Sequence, residues 1–300
     1  MTNATSTPVA AADAGPATSP AASPASPRTV IRPPGGWPVP DFSEIWRYRD
    51  LLVLLTSRNV AARYRQSVLG LGWALVRPVT SVGIFTVIFG KAVGLEDDLP
   101  AGISYALFSF CGLLPWMFFA AALAGTTESV VGAQDMLTKV YFPRIVLPLS
   151  NLGVAAVDLA IQLVLLVIAL AVYRILPGLE ILALPAFLLL AATAALACGL
   201  WLTALNVKYR DVKYAVPFML QAGMYLCPII YPVTKIPEQW RAVYFLNPMA
   251  GAIEGVRWSV LGAEPPDWGY VGLSAAATAL LLAGGTMYFT RTERTFADII

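Results

Sequence analysis

The chain has 300 residues, of which 58% are hydrophobic and 13% charged, with a net charge of +2 and no histidine. A water-soluble domain of this length could not hide so much apolar surface in one core, so lipid must be the solvent for much of it. Without histidine, imidazole acid–base catalysis, histidine metal ligation and Ser-His-Asp triads are excluded. The three cysteines, Cys111, Cys198 and Cys227, stand singly inside apolar runs, which suits small buried hydrophobes better than disulfides or a metal site.

Residues 1–40 are rich in Ala, Pro, Ser and Thr and lack the charged-then-apolar order of a signal peptide. They read as a disordered cytoplasmic tail, ahead of a membrane domain over 41–300. From Asp41 the character changes, and Phe42, Ile45, Trp46, Leu51, Leu52 and Leu55 mix with Glu44, Arg47, Arg49 and Asp50 in the manner of an amphipathic helix over 43–56 lying on the membrane surface. Apolar runs of about 20 residues follow, the length that crosses roughly 30 Å of hydrocarbon as helix, without the period-two alternation of a barrel. The predicted fold is all-α, with six transmembrane helices near 71–94, 103–125, 145–172, 181–205, 212–231 and 268–290.

Lys and Arg set the orientation. Twelve fall on the side of the N-terminus: Arg47, Arg49, Arg58, Arg63, Arg65, Lys139, Arg144, Lys208, Arg210, Lys213, Arg291 and Arg294. Five fall opposite, at Lys91, Arg174, Lys235, Arg241 and Arg257. Both chain ends are therefore expected in the cytoplasm, and the Glu96–Asp98 loop outside. The stretch from Val233 to Gly262 is half apolar, too short to cross twice and marked by the turn signal Asn247-Pro248. Two short re-entrant or interfacial helices would fit it, provided that the backbone between them is buried in protein or faces water.

Five segments in this order, YRQSVLGLGWALVRPV, LTKVYFPRIVLPLSN, NVKYRDVKY, CPIIYPV and NPMAGAIEGVRWSVLG, resemble the membrane subunit of type-2 ABC exporters for O-antigen, capsule and teichoic-acid polymers. The resemblance covers roughly 42–296. It implies a homodimer in the inner membrane, paired with two copies of an ATPase subunit and moving a polyprenyl-linked polysaccharide outward. No G-x-x-x-x-G-K-[ST] phosphate loop occurs in the chain, so no cofactor is expected on it and ATP belongs to the partner. No nucleic-acid partner, catalytic residue or metal site is expected.

The resemblance also assigns roles to residues. The segment around Val131, Gln134, Asp135 and Thr138 would be the coupling helix that rests in a cleft of the ATPase, with the 43–56 helix beside it. Arg58, Arg63, Arg65 and Arg77 would meet the substrate pyrophosphate at the cytoplasmic entrance, since Arg pairs well with phosphate oxygens; plain anchoring and snorkelling stay open for each. Asn247, Pro248, Glu254 and Arg257 belong to an expected outer gate, within which Glu254 and Arg257, spaced i, i+3, are expected to pair. Sugar rings have apolar faces, so aromatic residues of the lining spans are candidates for the path: Phe85, Phe89, Tyr225 and Tyr231 first, then Trp73 and Trp116.

Asp158 is the carboxylate in the middle of a long apolar span, with Gln162 one turn on. Such a group faces the bundle interior. A hydrogen bond to a neighbouring helix is favoured over a proton relay, because nothing else forms a chain across the bilayer. Three other functions stay open: a lipid or drug exporter subunit, a membrane-embedded polyprenyl-sugar glycosyltransferase, and a passive channel. Against the second, the acidic residues are scattered; against the third, no ring-forming charged motif is present.

Overall fold

The computed structural model describes residues 42–65, 72–100, 102–137, 139–262 and 264–299. The tail expected over 1–40 lies outside these residues, as does Thr138.

Helix α1 (Phe42–Arg47) breaks at Tyr48 and resumes as α2 (Arg49–Arg65), which runs well past the expected end near Thr56. Rather than lying apart on a surface, α2 climbs lengthwise along α6 (Val146–Tyr173). The Thr56 hydroxyl donates to the Ser150 carbonyl at 3.3 Å, and about two turns later Arg63 reaches Asp158. Close approach at the first contact depends on Gly153, where a Cβ would stand 2.9 Å from the Thr56 methyl.

Helix α3 (Gly72–Phe85) passes into a π-helical stretch, Thr86–Ala92. It carries Pro78 in its interior, which has no N–H for the Ala74 carbonyl. Helix α4 (Tyr105–Glu128) is the hub of the bundle: 78% of its most apolar window is buried by the chain itself, against 11% for Gly72–Ala92. Helix α7 (Leu184–Lys208) packs against it through small residues, with Ala191, Ala194 and Ala195 fully buried. Between helices in lipid the hydrophobic effect gives little, so close backbone approach through small side chains supplies the cohesion.

Beyond α7 come α8 (Val212–Tyr225), α9 (Glu238–Tyr244), α10 (Pro248–Leu261) and α11 (Trp268–Ile299). Among the described residues, five helices are long and apolar enough to cross a membrane: Gly72–Ala92, Tyr105–Glu128, Val146–Tyr173, Leu179–Lys208 and Trp268–Glu293. The expected span at 212–231 is the exception. Its helix has 14 residues, about 21 Å of rise, and stops before Cys227-Pro228 because the residue ahead of a proline is driven out of the helical region. Among the described residues between α8 and α11, the 3₁₀ turn Val233–Lys235 precedes the two short α-helices, and α10 is buried over most of its length against α4, α7 and α11.

Contacts define two ends of the bundle. At one, here called the base, Leu55 of α2, Val146 of α6, Val207 of α7 and Phe296 of α11 share a buried cluster. There the Asn206 amide of α7 donates to the Thr127 carbonyl of α4. At the far end, the start of α4 meets the chain beyond α8, with the Tyr105 hydroxyl donating to the Ile230 carbonyl at 2.7 Å. Lys235 and Asp98 pair there at 2.7 Å, so the two loops expected on one side of the membrane do share an end.

Candidate functional site

Between α2, α3, α4, α6 and the last turn of α8 lies a cavity of about 870 Å³. Its volume follows from sequence: α4 presents Ala120, Ala121, Ala124 and Gly125 to it, side chains too small to fill the gap between neighbouring helices. On α3, Trp73, Arg77 and Ser81 are spaced by four and form one stripe along its wall. Asp158 and Gln162 of α6 face it with the same spacing, and Glu128 lies at the base end of α4. Trp116 closes the upper part, tilted against Phe119 at 5.4 Å between ring centroids. It lies so near α8 that a Cβ at Gly223 would stand 2.9 Å from its ring.

Asp158 is held from α2. Arg63 donates to one carboxylate oxygen at 2.5 Å, and the Tyr64 hydroxyl donates to the other. Burial, reinforced by the Asp158 carboxylate, pushes the Tyr64 hydroxyl up to about 12, so it stays a proton donor at neutral pH. Both oxygens of Asp158 are thus occupied, and Arg63 is fixed in the cavity wall with its guanidinium partly exposed. Arg77 differs: it has no hydrogen-bond or ion-pair partner among the described residues. The cavity therefore offers one cation oriented by Asp158, one unpaired cation, two indole faces and a buried amide, with the Glu128 carboxylate at its base end. That set can bind an anion next to a flat, hydroxylated group.

Four of the residues given a site role from the sequence, Arg63, Arg77, Trp73 and Trp116, converge here, together with the intramembrane polar pair Asp158 and Gln162. The other described candidates do not. Arg58 and Arg65 are exposed on α2 outside the cavity lining. Phe85 is buried in the main apolar core and packs edge-on against Phe89 at 5.7 Å. Tyr225 is half-exposed at the end of α8, and its carbonyl accepts from the Tyr231 hydroxyl at 3.1 Å. Tyr64, Ser81 and Glu128 line the cavity without having been singled out. A polar residue inside an apolar run is the signal that marked Asp158 and Gln162, but nothing local joins Tyr64 to α6.

The expected coupling segment is a 3₁₀ turn, Val131–Ala133, followed by the single turn α5 (Gln134–Leu137). Asp135 is exposed, whereas Val131 and Gln134 are half-buried. Val131, Ala133, Met136 and Leu137 pack on the same cluster as Ile45, Leu51 and Leu52, so this segment and the N-terminal helices form one block at the base.

Outside the cavity lining, Asn247 caps α10 by accepting from the Met249 amide at 3.0 Å, and Pro248 takes the first helical position, where no N–H is needed. Arg257 is enclosed. It pairs with Glu254 at 2.9 Å, donates to the Ile229 carbonyl at 2.7 Å and lies 3.6 Å over the Phe108 ring. One side chain thereby joins α10, α4 and the turn after α8.

The family pattern of the ABC-2 type transporter matches residues 50–261. The chain is 30% identical to the O-antigen export system permease protein RfbA of Myxococcus xanthus, over 86% of this chain and 98% of that protein. It is 26% identical to the protein of the same name from Klebsiella pneumoniae, over 84% and 95%, and 25% identical to the polysialic acid transport protein KpsM of Escherichia coli, over 79% and 91%. The chain belongs to the ABC-2 transporter membrane family.

Proposed function

We propose that this chain is the membrane subunit of an exporter that carries a lipid-linked polysaccharide, O-antigen or a related cell-surface glycan, across the inner membrane. The observation that carries the reading is the convergence of Arg63, Arg77, Trp73 and Trp116 on one cavity, in a chain whose relatives bear the names of O-antigen and polysialic acid transporters. A polyprenyl diphosphate glycan has the matching parts. Its diphosphate needs cations, its lipid needs a lateral opening between helices, and its sugars need apolar faces with hydrogen-bonding edges. The thinly covered face of α3 supplies the lateral side.

On this reading the base faces the cytoplasm, with both chain ends there. ATP is bound and hydrolysed on two copies of a partner subunit, against which the 131–138 segment rests as the coupling element; the chain itself holds no cofactor. Two copies of the chain form the path, with Phe89, Tyr225 and Tyr231 along it. The α10 segment, held by Asn247 and Arg257, closes the outer end.

Reconstituted with its ATPase in vesicles, the wild-type subunit should hydrolyse ATP faster when a polyprenyl diphosphate glycan is added. R77Q should lose most of that response, since a charge-assisted contact to phosphate is worth roughly tenfold in affinity. Equal stimulation of R77Q and wild type would remove the cavity from consideration as the diphosphate site.

A further inference from the structure

The cavity has a second, unassigned polar group above its cations. Gln162 is 6% exposed, lines the cavity, and its Oε1 has no hydrogen-bond partner among the described residues. Asp158, one turn below on the same helix, has both oxygens satisfied by Arg63 and Tyr64, so the two polar residues of α6 are in opposite states. A buried amide oxygen left without a donor is unfavourable in an apolar surrounding, and native proteins keep few of them. A half-turn about the last side-chain bond exchanges the amide oxygen with its NH₂ group, so Gln162 can turn either an acceptor or a donor to the cavity. A hydroxyl, which both donates and accepts, satisfies either orientation.

The surroundings narrow the ligand further. The lining also includes the Trp116 indole, Met117, Met224 and the Ser81 hydroxyl. A flat apolar face, an amide and a hydroxyl in one cavity are the chemistry that holds a sugar ring, by its C–H face and by its rim. Gln162 stands four residues beyond Asp158, about 6 Å along the helix, so a group about as broad as a sugar ring fits beyond an anion held at the level of Arg63.

We infer that Gln162, with Trp116 of the same cavity lining, forms a sugar subsite that reads the first sugar attached to the diphosphate. Arg63 and Arg77 hold the anion below. The inference rests on the diphosphate reading given above and adds to it a residue that separates a glycosylated lipid from a bare one.

The test uses the intact complex with its ATPase in nanodiscs and two probes, undecaprenyl diphosphate and the same lipid carrying a single hexose. ATPase stimulation is titrated with each. Wild type should respond to the hexose lipid at about fivefold to tenfold lower concentration than to the bare lipid, the scale of one hydrogen bond to a buried amide. Q162M, similar in volume but without the amide, should bring the two half-saturating concentrations within about twofold while leaving that of the bare lipid unchanged. Q162N, which keeps a shorter amide, should fall between them and serves if Q162M does not assemble.

Wild type that responds equally to both probes overturns the sugar subsite and leaves the diphosphate site standing. A Q162M variant that weakens both responses alike assigns Gln162 to packing and overturns it too. Wild type that responds to neither probe overturns the diphosphate reading and this inference with it.

Discussion

Two arginines on the apolar helices of this protein live in opposite circumstances. Arg257, at the far end, has a carboxylate, a backbone carbonyl and an aromatic face packed around it, and only 4% of its side chain is exposed. Arg77, in the cavity wall, has none of these among the described residues. Arg63 is intermediate, anchored by Asp158 yet partly open. A cation at membrane depth is expensive unless it is matched. Where the protein itself supplies the match the residue acts as a fastener, and where it does not the match must come from solvent, headgroup or ligand.

That contrast is most severely tested at Arg257. R257A removes the partner of Glu254 and should destabilise the subunit by about 3–5 kcal/mol, as breaking one side of a buried pair does. Thermal unfolding in detergent would measure it. The double variant E254M/R257M removes both charges at once and should recover most of the loss. Single and double variants of equal stability would mean that the guanidinium acts through its carbonyl and Phe108 contacts rather than through Glu254.

R77Q should give the converse result. Unfolding should move by less than about 0.5 kcal/mol, since no contact among the described residues is lost, while the response to a diphosphate lipid drops roughly tenfold. A large drop in stability would show Arg77 to be another fastener.

D158N sharpens the intermediate case. Arg63 is partly exposed, so solvent screens the pair, and a stability loss of about 1 kcal/mol is expected rather than the full value of a buried pair. Its larger consequence is positional: Arg63 is no longer fixed against α6, and the concentration of diphosphate lipid needed for half-stimulation should rise. R63Q should show the same rise, and the double variant little more than either alone, because the two changes break one contact.

The smallest effect concerns Tyr64. Burial and the Asp158 carboxylate push its hydroxyl up to about 12 from an ordinary 10. The folded state therefore favours the protonated form, and the stability this adds is complete below pH 10 and lost between pH 10 and 12. Y64F should flatten that part of the pH dependence. A dependence unchanged in Y64F would exclude the Tyr64 hydroxyl as its source.

The positions that the sequence marked correctly on local grounds are those whose chemistry is local. The i, i+3 pairing of Glu254 and Arg257 and the helix start at Asn247-Pro248 depend on neighbours within one turn, and both are present in the structure. The expectation for Phe85 was less local, since an aromatic residue on an apolar helix suits a core, a lipid face and a lining surface equally well, and the packing around α4 puts it in the core. The shortness of α8 was also hidden. The apolar run over 212–231 has the composition of a span, and only the geometry ahead of Pro228 ends the helix early.

By itself the sequence determined that this is a helical membrane protein and where its apolar segments fall, because hydrocarbon admits only long internally bonded segments. Tertiary structure decided which polar groups are satisfied and which are left open. Asp158 is 95 residues from Arg63 and 94 from Tyr64 in the chain, and no periodicity connects them. Only the packing of α2 along α6 makes Asp158 a satisfied anchor and leaves Gln162, one turn away, with an acceptor and no donor.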